Sequence, residues 1–417
     1  MRPLPPEAFL REDTYAATRL PVALATTLIP DAYTSPEFLS LERERVFATS
    51  WVVACCTDDV AKIGDYAVAD VAGRSILVTR NRDGELRAFY NVCRHRGALL
   101  CEGAGHVDRF FRCPYHSWAY DLDGACLGTP LFEDSGIPEQ DQGIFDMADV
   151  RAFDKRDHGL FPVRAEAWGC LVFVNLEDEP APLLEQLGDL PERLTGYRLD
   201  EWRVARTATY DIAANYKLVG ENFMEYYHLP WVHPSLVQVS PMKAHYRWQG
   251  PGMYTGMTTT PIAQNSDEGG WKGLSPLSDL SAADGDSARF AWLFPNVALN
   301  VLPNHLFVMI ARPVGPGRTS ETTYLLVHPD SVESAGAEAE SDVDQLAGFW
   351  DLVNREDIAI VERVQRGLEI PAYGGGRMCY RFEEPLHRFQ NMVIDRMLGI
   401  RRVPEGDTEP SASAVRV

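Results

Sequence analysis

The sequence predicts an α+β protein in two parts: an antiparallel β domain, then a larger domain whose antiparallel sheet carries helices. Three observations lead there. Residues 51–177 break into short alternating runs such as "YAVADVAG" and "SILVTRNRDGELRAFYNV", punctuated by Asp-Gly turns in "RDGE" and "LDGA". Past a proline- and acid-rich stretch at 177–192, strand-like runs at 202–212, 244–259, 288–312 and 320–328 alternate with helical segments near 213–229 and 342–368. At 417 residues the chain is long enough for two hydrophobic cores.

In chain order, "SPEFLSLERERVFATS" (35–50) has apolar residues at helical spacing after a Ser-Pro start, so a helix is expected there. We divide the chain into an N-terminal helical segment packing on the second domain (1–45), the β domain (46–177), the second domain (178–402) and a disordered tail (403–417). "DSVESAGAEAESD" (330–342) reads as an acidic surface loop and "YGGGR" (373–377) as a loop after a proline.

Composition excludes several functions. A net charge of −21 is the wrong sign for a phosphate backbone or an anionic membrane. It is compatible with a cationic substrate or a basic redox partner, although many soluble enzymes are simply acidic. No apolar run reaches the length of a membrane span, and the first residues lack the pattern of a signal peptide, so a cytoplasmic location is expected. Eight cysteines are too sparse for a disulfide scaffold. No G-x-G-x-x-G motif is present, so the sequence offers no dinucleotide-binding fingerprint.

Two constellations carry chemistry. "CRHRG" at 93–97 and "CPYHSW" at 113–118 place Cys93, His95, Cys113 and His116 in two loops, each expected at a hairpin tip. Zinc could take all four residues as one tetrahedral set. A Rieske [2Fe–2S] centre would take two thiolates on one iron and two imidazoles on the other. The alternation of Cys and His favours the Rieske centre.

The second is "ENFMEYYHLPWVHP" (221–234), where His228 and His233 could give a mononuclear iron two imidazoles. On one continuous helix the two rings would point roughly 140° apart. Pro230 is therefore expected to end a helix near Leu229 and let His233 fold back. Asp357 lies within the apolar stripe of "FWDLVNREDIAIVERVQRGL" (349–368), where an unpaired carboxylate is costly. It is the candidate third ligand, or else a buried hydrogen-bonded acid, whereas Glu356 and Glu362 fall toward the polar side. Glu225, three residues before His228, is placed to bond an imidazole N–H or to face solvent. Trp231, Tyr246, Trp248, Tyr254, Trp292 and Phe294 could cage a trimethylammonium group, or pack as core.

Together these motifs resemble the large (α) subunit of Rieske non-haem iron oxygenases, from about residue 40 to 400. The resemblance implies a Rieske domain followed by a catalytic domain of helix-grip type. It implies a [2Fe–2S] cluster on Cys93, His95, Cys113 and His116, and mononuclear Fe(II) on His228, His233 and Asp357. Asn222 would lie near the iron without binding it. It further implies a homotrimer in which Glu225 carries the electron path from one subunit's cluster to the next subunit's iron. The electron donor would be an NAD(P)H-dependent reductase or a ferredoxin, with O₂ and a small organic substrate as reactants.

The second motif departs from family patterns. Glu225 stands where aromatic-ring dihydroxylating members commonly carry Asp, as in a branch similar to carnitine monooxygenase. That branch reads Glu-Cys-Tyr-His-Cys where this chain has "EYYHL", and the usual Asn-Trp-Lys is Asn215-Tyr216-Lys217. The readings that follow are a monooxygenase or demethylase of a quaternary ammonium compound and a ring-dihydroxylating dioxygenase. Outside oxygenases stand a Rieske electron carrier and a zinc-organised binding protein.

Overall fold

A computed structural model describes residues 4–132, 138–141, 143–144, 146–260 and 274–406, so the end of the expected disordered tail, 407–417, lies outside the described residues. There are two compact units: Trp51–Pro180, and a second in which residues up to Ser50 join those from Ala181 onward. Among the described residues no helix is long and apolar enough to cross a membrane.

The first unit is antiparallel throughout. Its strands are β1 (Val52–Cys56), β2 (Asp65–Val71), β3 (Arg74–Arg80), β4 (Leu86–Tyr90), β5 (Ala104–His106), β6 (Phe111–Arg112), β7 (Ala119–Tyr120), β8 (Cys126–Gly128), β9 (Pro162–Trp168) and β10 (Leu171–Asn175). A seven-stranded sheet runs β1-β10-β9-β4-β3-β2-β5, beside a three-stranded sheet β6-β7-β8. The Asp-Gly turns join β3 to β4 and β7 to β8, with Gly84 and Gly124 at φ +80° and +84°, a region that favours glycine. "CPYHSW" occupies the β6–β7 hairpin as expected. "CRHRG" does not sit at a hairpin tip: β5 pairs with β2, not β4, so the motif lies in the long crossover 91–103.

The second unit is built on the antiparallel sheet β11-β17-β16-β15-β14-β13-β12. The strands are β11 (Arg203–Ile212), β12 (His245–Arg247), β13 (Tyr254–Thr259), β14 (Ala288–Leu293), β15 (Val297–Val301), β16 (Leu306–Gly315) and β17 (Arg318–Val327). The helices that matter for function are α1 (Pro36–Glu42), α2 (Tyr216–Met224), α3 (Leu229–Val232), α4 (Pro329–Ala335), α5 (Ala339–Leu368) and α6 (Glu384–Met397). Ser35 caps α1 by accepting the Phe38 N–H at 3.1 Å, the start that the Ser-Pro pair signals.

The acidic stretch 330–342 is not a loop. It forms α4, a 3₁₀ turn and the first turn of α5. Its acids explain the difference: Asp330, Glu340 and Asp342 sit in first helical turns, where negative charge meets the positive end of the helix dipole. Acid-rich composition marks helix starts as well as solvated loops.

Two devices fix α2, which leads into the histidine motif. Gly220 lets the helix approach the sheet: a Cβ there would stand 2.5 Å from the Trp292 ring. Lys217 Nζ donates to both carboxylate oxygens of Glu42 at 2.9 Å, both side chains being wholly buried, and Tyr216 OH donates to the same carboxylate at 3.0 Å. Burial pulls the lysine down and the glutamate up from their ordinary pKa values, and each opposes the shift of the other. The rings of Tyr33, Phe38 and Tyr216 lie 4.7–5.4 Å from the ammonium.

This pair ties the N-terminal segment to α2. Glu42→Gln strands a buried cation and is expected to cost about 3–5 kcal/mol in denaturant unfolding. Glu42→Leu combined with Lys217→Met should cost less than Glu42→Gln alone. Equal losses would show that packing, not charge, makes the tie.

Candidate metal centres

In the first unit the two cysteine loops are held by their own backbones. The Cys93 N–H donates to the Ala98 carbonyl at 2.8 Å and Gly97 N–H returns to Cys93 at 3.0 Å, with Gly97 at φ +75°. Across the site the Cys113 N–H donates to Trp118 at 2.7 Å and Ser117 N–H to Cys113 at 3.0 Å. Asn91 braces the first loop, its side-chain oxygen accepting from the N–H groups of Leu100 and Cys101 at 3.0 and 3.1 Å.

The thiols of Cys93 and Cys113 are buried, while His95 is half-buried and His116 exposed. The two imidazoles have ring centroids 4.6 Å apart, and His95 stacks on Trp118 at 5.0 Å. His95 Nδ1 is buried without a hydrogen-bond partner. A buried nitrogen left without a partner beside two facing thiols is an arrangement that a metal cluster satisfies.

The second centre starts where α2 ends. Glu225 leaves the helix at φ −122°, ψ 160°, so its approach to His228 is not the helical i, i+3 contact expected from the sequence. The extended backbone curls the chain over the carboxylate instead. One oxygen accepts the N–H groups of Tyr227 and, at 3.2 Å, His228; the other takes His228 Nδ1 at 2.5 Å. Pro230 does not end a helix but lies in the first turn of α3, where its missing N–H costs nothing. His228 precedes α3 and His233 follows it, its N–H donating to Leu229 at 3.0 Å.

The short α3 therefore sets the rings 5.3 Å apart at 73°, with both Nε2 atoms facing one carboxylate. Asp357 Oδ1 lies 2.8 Å from His233 Nε2 and 3.7 Å from His228 Nε2. One donor atom from each of His228, His233 and Asp357 lies within 4.8 Å of the others, a spacing that could hold a metal ion. Asn222 Nδ2 donates to Asp357 Oδ1 at 2.7 Å, which puts it beside the site.

Glu356 was expected on the polar side of α5, yet its carboxylate lies 2.7 Å from His233 Nδ1. A helical projection treats one buried stripe as the only functional face. His233 arrives from α3 at the flank of that stripe, within reach of a long side chain one residue away. The adjacency of Glu356 and Asp357 was the available signal. Each imidazole thus has a carboxylate on Nδ1, which assigns Nε2 as the free nitrogen. Three carboxylates around two imidazoles is a donor set short of positive charge, and a divalent cation fits it.

Beside the site opens a chamber lined by Phe223, Phe290, Phe307, Phe349 and Trp350. None of the six aromatic residues proposed from sequence lines it. Trp231 is 81% exposed, Trp292 is buried under Gly220, and Tyr254 OH donates to Asp189. Trp350 is locked in place, its Nε1–H donating to His305 Nε2 at 2.9 Å and its ring stacking on Phe307 at 4.7 Å.

Residues 50–139 match the Rieske [2Fe–2S] domain, and residues 199–399 match the catalytic domain of ring-hydroxylating α subunits. Over 398 residues the chain is 30% identical to the glycine betaine monooxygenase oxygenase subunit of Chromohalobacter salexigens, spanning 88% of this chain and 84% of that one. The chain belongs to the Rieske oxygenase α subunits. This oxygenase is also 30% identical to the carnitine monooxygenase oxygenase subunit of Acinetobacter baumannii, over 82% of this chain and 85% of that protein. A solved structure of the quaternary ammonium Rieske monooxygenase CntA superposes with a TM-score of 0.76 at 26% identity, covering 95% and 99% of the two chains. The oxygenase's cofactors are accordingly a Rieske-type [2Fe–2S] cluster and mononuclear iron.

Asp357→Ala enzyme purified anaerobically is expected to lose the mononuclear iron and keep the Rieske absorption, read by metal analysis and the visible spectrum. Glu356→Gln should retain the iron but bind it about 10–100-fold more weakly in chelator competition. Unchanged affinity would reduce Glu356 to a surface acid.

Proposed function

We propose that this oxygenase acts on a small quaternary ammonium compound, hydroxylating a carbon bonded to nitrogen so that the product collapses by dealkylation. The observation that carries this reading is the chamber beside the iron site. Its described lining residues include no lysine or arginine, and besides Glu225 and Asp357, which face the histidines, they include the buried carboxyl of Glu321. Aromatic faces with negative charge behind them suit a cation that has no N–H to donate. The substrates named for the relatives, glycine betaine and carnitine, point the same way.

In this reading Cys93, His95, Cys113 and His116 hold the cluster, and His228, His233 and Asp357 hold the iron. When bound, the cluster supplies one-electron transfer and the iron supplies dioxygen activation. Glu225 and Glu356 keep both Nδ1 atoms occupied, so both Nε2 atoms face the iron position. Asn222 orients the Asp357 carboxylate by donating to Oδ1. The aromatic walls exclude water from the reacting carbon.

The electrons come from a separate NAD(P)H-dependent reductase or ferredoxin. The working unit is a cytoplasmic homotrimer without a β subunit, in which Glu225 links its iron site to the cluster domain of a neighbouring subunit. An aromatic substrate would fit the apolar walls but would leave Glu321 without an opposite charge.

With its reductase, the enzyme is expected to consume O₂ and release formaldehyde or a short aldehyde with trimethylammonium substrates, and to give no cis-diol from simple arenes. Diol formation without dealkylation would overturn the reading. Glu225→Gln should slow turnover by at least about tenfold while both metal sites stay loaded, and light scattering should return the mass of a trimer.

A further inference from the structure

Among the described residues that line the chamber, one carboxyl group has no part in the metal site. Glu321 projects from β17, opposite Ala311 of β16 and Tyr210 of β11. It lines the chamber and is completely buried. One carboxylate oxygen accepts from Asn354 Nδ2 at 2.7 Å; the other is buried with no hydrogen-bond partner. No lysine or arginine lines the chamber with it among the described residues. A carboxyl in that state is costly, and proteins keep such groups for a reason outside their own packing.

Among the described residues no lysine or arginine beside Glu321 answers its charge. Asn354 sits one helical turn before Asp357 on α5, and the charge of Asp357 repels that of Glu321. Burial, with a smaller contribution from Asp357, pushes the Glu321 carboxyl up to about 7, against the opposing Asn354 hydrogen bond. Tyr210 shares the strand register, but its hydroxyl donates to Asp351 at 2.6 Å and leaves Glu321 unserved. A cation entering the chamber would supply the positive charge that this carboxyl lacks and favour its ionised form.

We propose that Glu321 is the residue that selects a cationic substrate, its buried carboxylate acting through the chamber wall on a trimethylammonium group held against Trp350 and Phe307. The inference rests on the quaternary ammonium reading above and deepens it by assigning the charge. Two features suit the role. A quaternary nitrogen forms no hydrogen bond, so an anion that attracts at short range without contact is the complementary partner. A charge in a low-dielectric wall also reaches further than one in water. Trp350, fixed by His305, supplies a preorganised aromatic face.

The test compares a cation with its uncharged twin. Choline and 3,3-dimethylbutan-1-ol differ only in nitrogen against carbon, as do glycine betaine and 3,3-dimethylbutanoate. Anaerobic calorimetric titration of the iron-loaded enzyme gives the ratio of dissociation constants within each pair. Wild type should prefer the cation, and Glu321→Gln, which retains an oxygen for Asn354, should lower that preference by at least about tenfold. Glu321→Asp should retain most of it.

A Gln variant that weakens cation and isostere equally, or neither, overturns the assignment. Should the Gln variant not fold, Glu321→Asp and Glu321→Met, scored by the same ratio, decide it in the same way. A wild type that binds no trimethylammonium compound at all overturns the substrate reading, and this inference with it. Wild-type preference left unaltered in the variants overturns this inference alone.

Discussion

The second unit depends on one requirement: two imidazoles must present Nε2 to the same carboxylate while each Nδ1 is held elsewhere. An imidazole is free to rotate about two torsions and to carry its proton on either nitrogen. Glu225 and Glu356 remove both freedoms by accepting from Nδ1. The local backbone follows from this. α2 has to stop at Met224 so that Glu225 can turn back on His228, and α3 has to be a single turn so that His233 returns to α5.

The anchoring lies further out. α2 can place Asn222 and Glu225 only if the helix itself does not shift. Gly220 brings it against Trp292, and the buried Lys217–Glu42 pair locks its first turn to the N-terminal segment. A charged pair in the core is a weak source of net stability but a strict one geometrically, since any displacement strands two charges. That accounts for a lysine within a stretch otherwise devoted to packing and metal chemistry. α5 is fixed in turn by bonds to the sheet and to the loop before α2: Tyr210 to Asp351, Ala213 N–H to Glu362, and Asn215 N–H to Gln365.

Electrostatics give the site its direction. Three carboxylates surround the two imidazoles of the metal site, the described chamber lining includes no lysine or arginine, and its aromatic walls leave negative charge poorly screened. An iron held by His228, His233 and Asp357 would account for the acids that face the histidines. Glu321 lies beyond those contacts, and the chamber is the place from which its charge can be answered.

The sequence by itself determined the chemistry. Two Cys-His pairs in β loops, two histidines around a proline, and an aspartate in an apolar helical stripe were enough to name both centres. Candidate ligands are a matter of residue type and spacing, and both are written in the chain. The order of the two domains and most strands were legible for a similar reason, because alternation and Asp-Gly turns act locally. What only the tertiary structure decided was which side chains meet. Glu356 was misplaced because a helical projection cannot know that His233 approaches from the side. The aromatic cage was sought at other positions, whereas the chamber is walled by Phe290 of β14, Phe307 of β16, Phe223 of α2, and Phe349 and Trp350 of α5, elements distant in sequence. Glu321 gave no signal, being one acid in an alternating strand. Its burial and its missing partner exist only once β17, β11 and α5 have closed around it, and long-range packing of that kind leaves no periodicity to read.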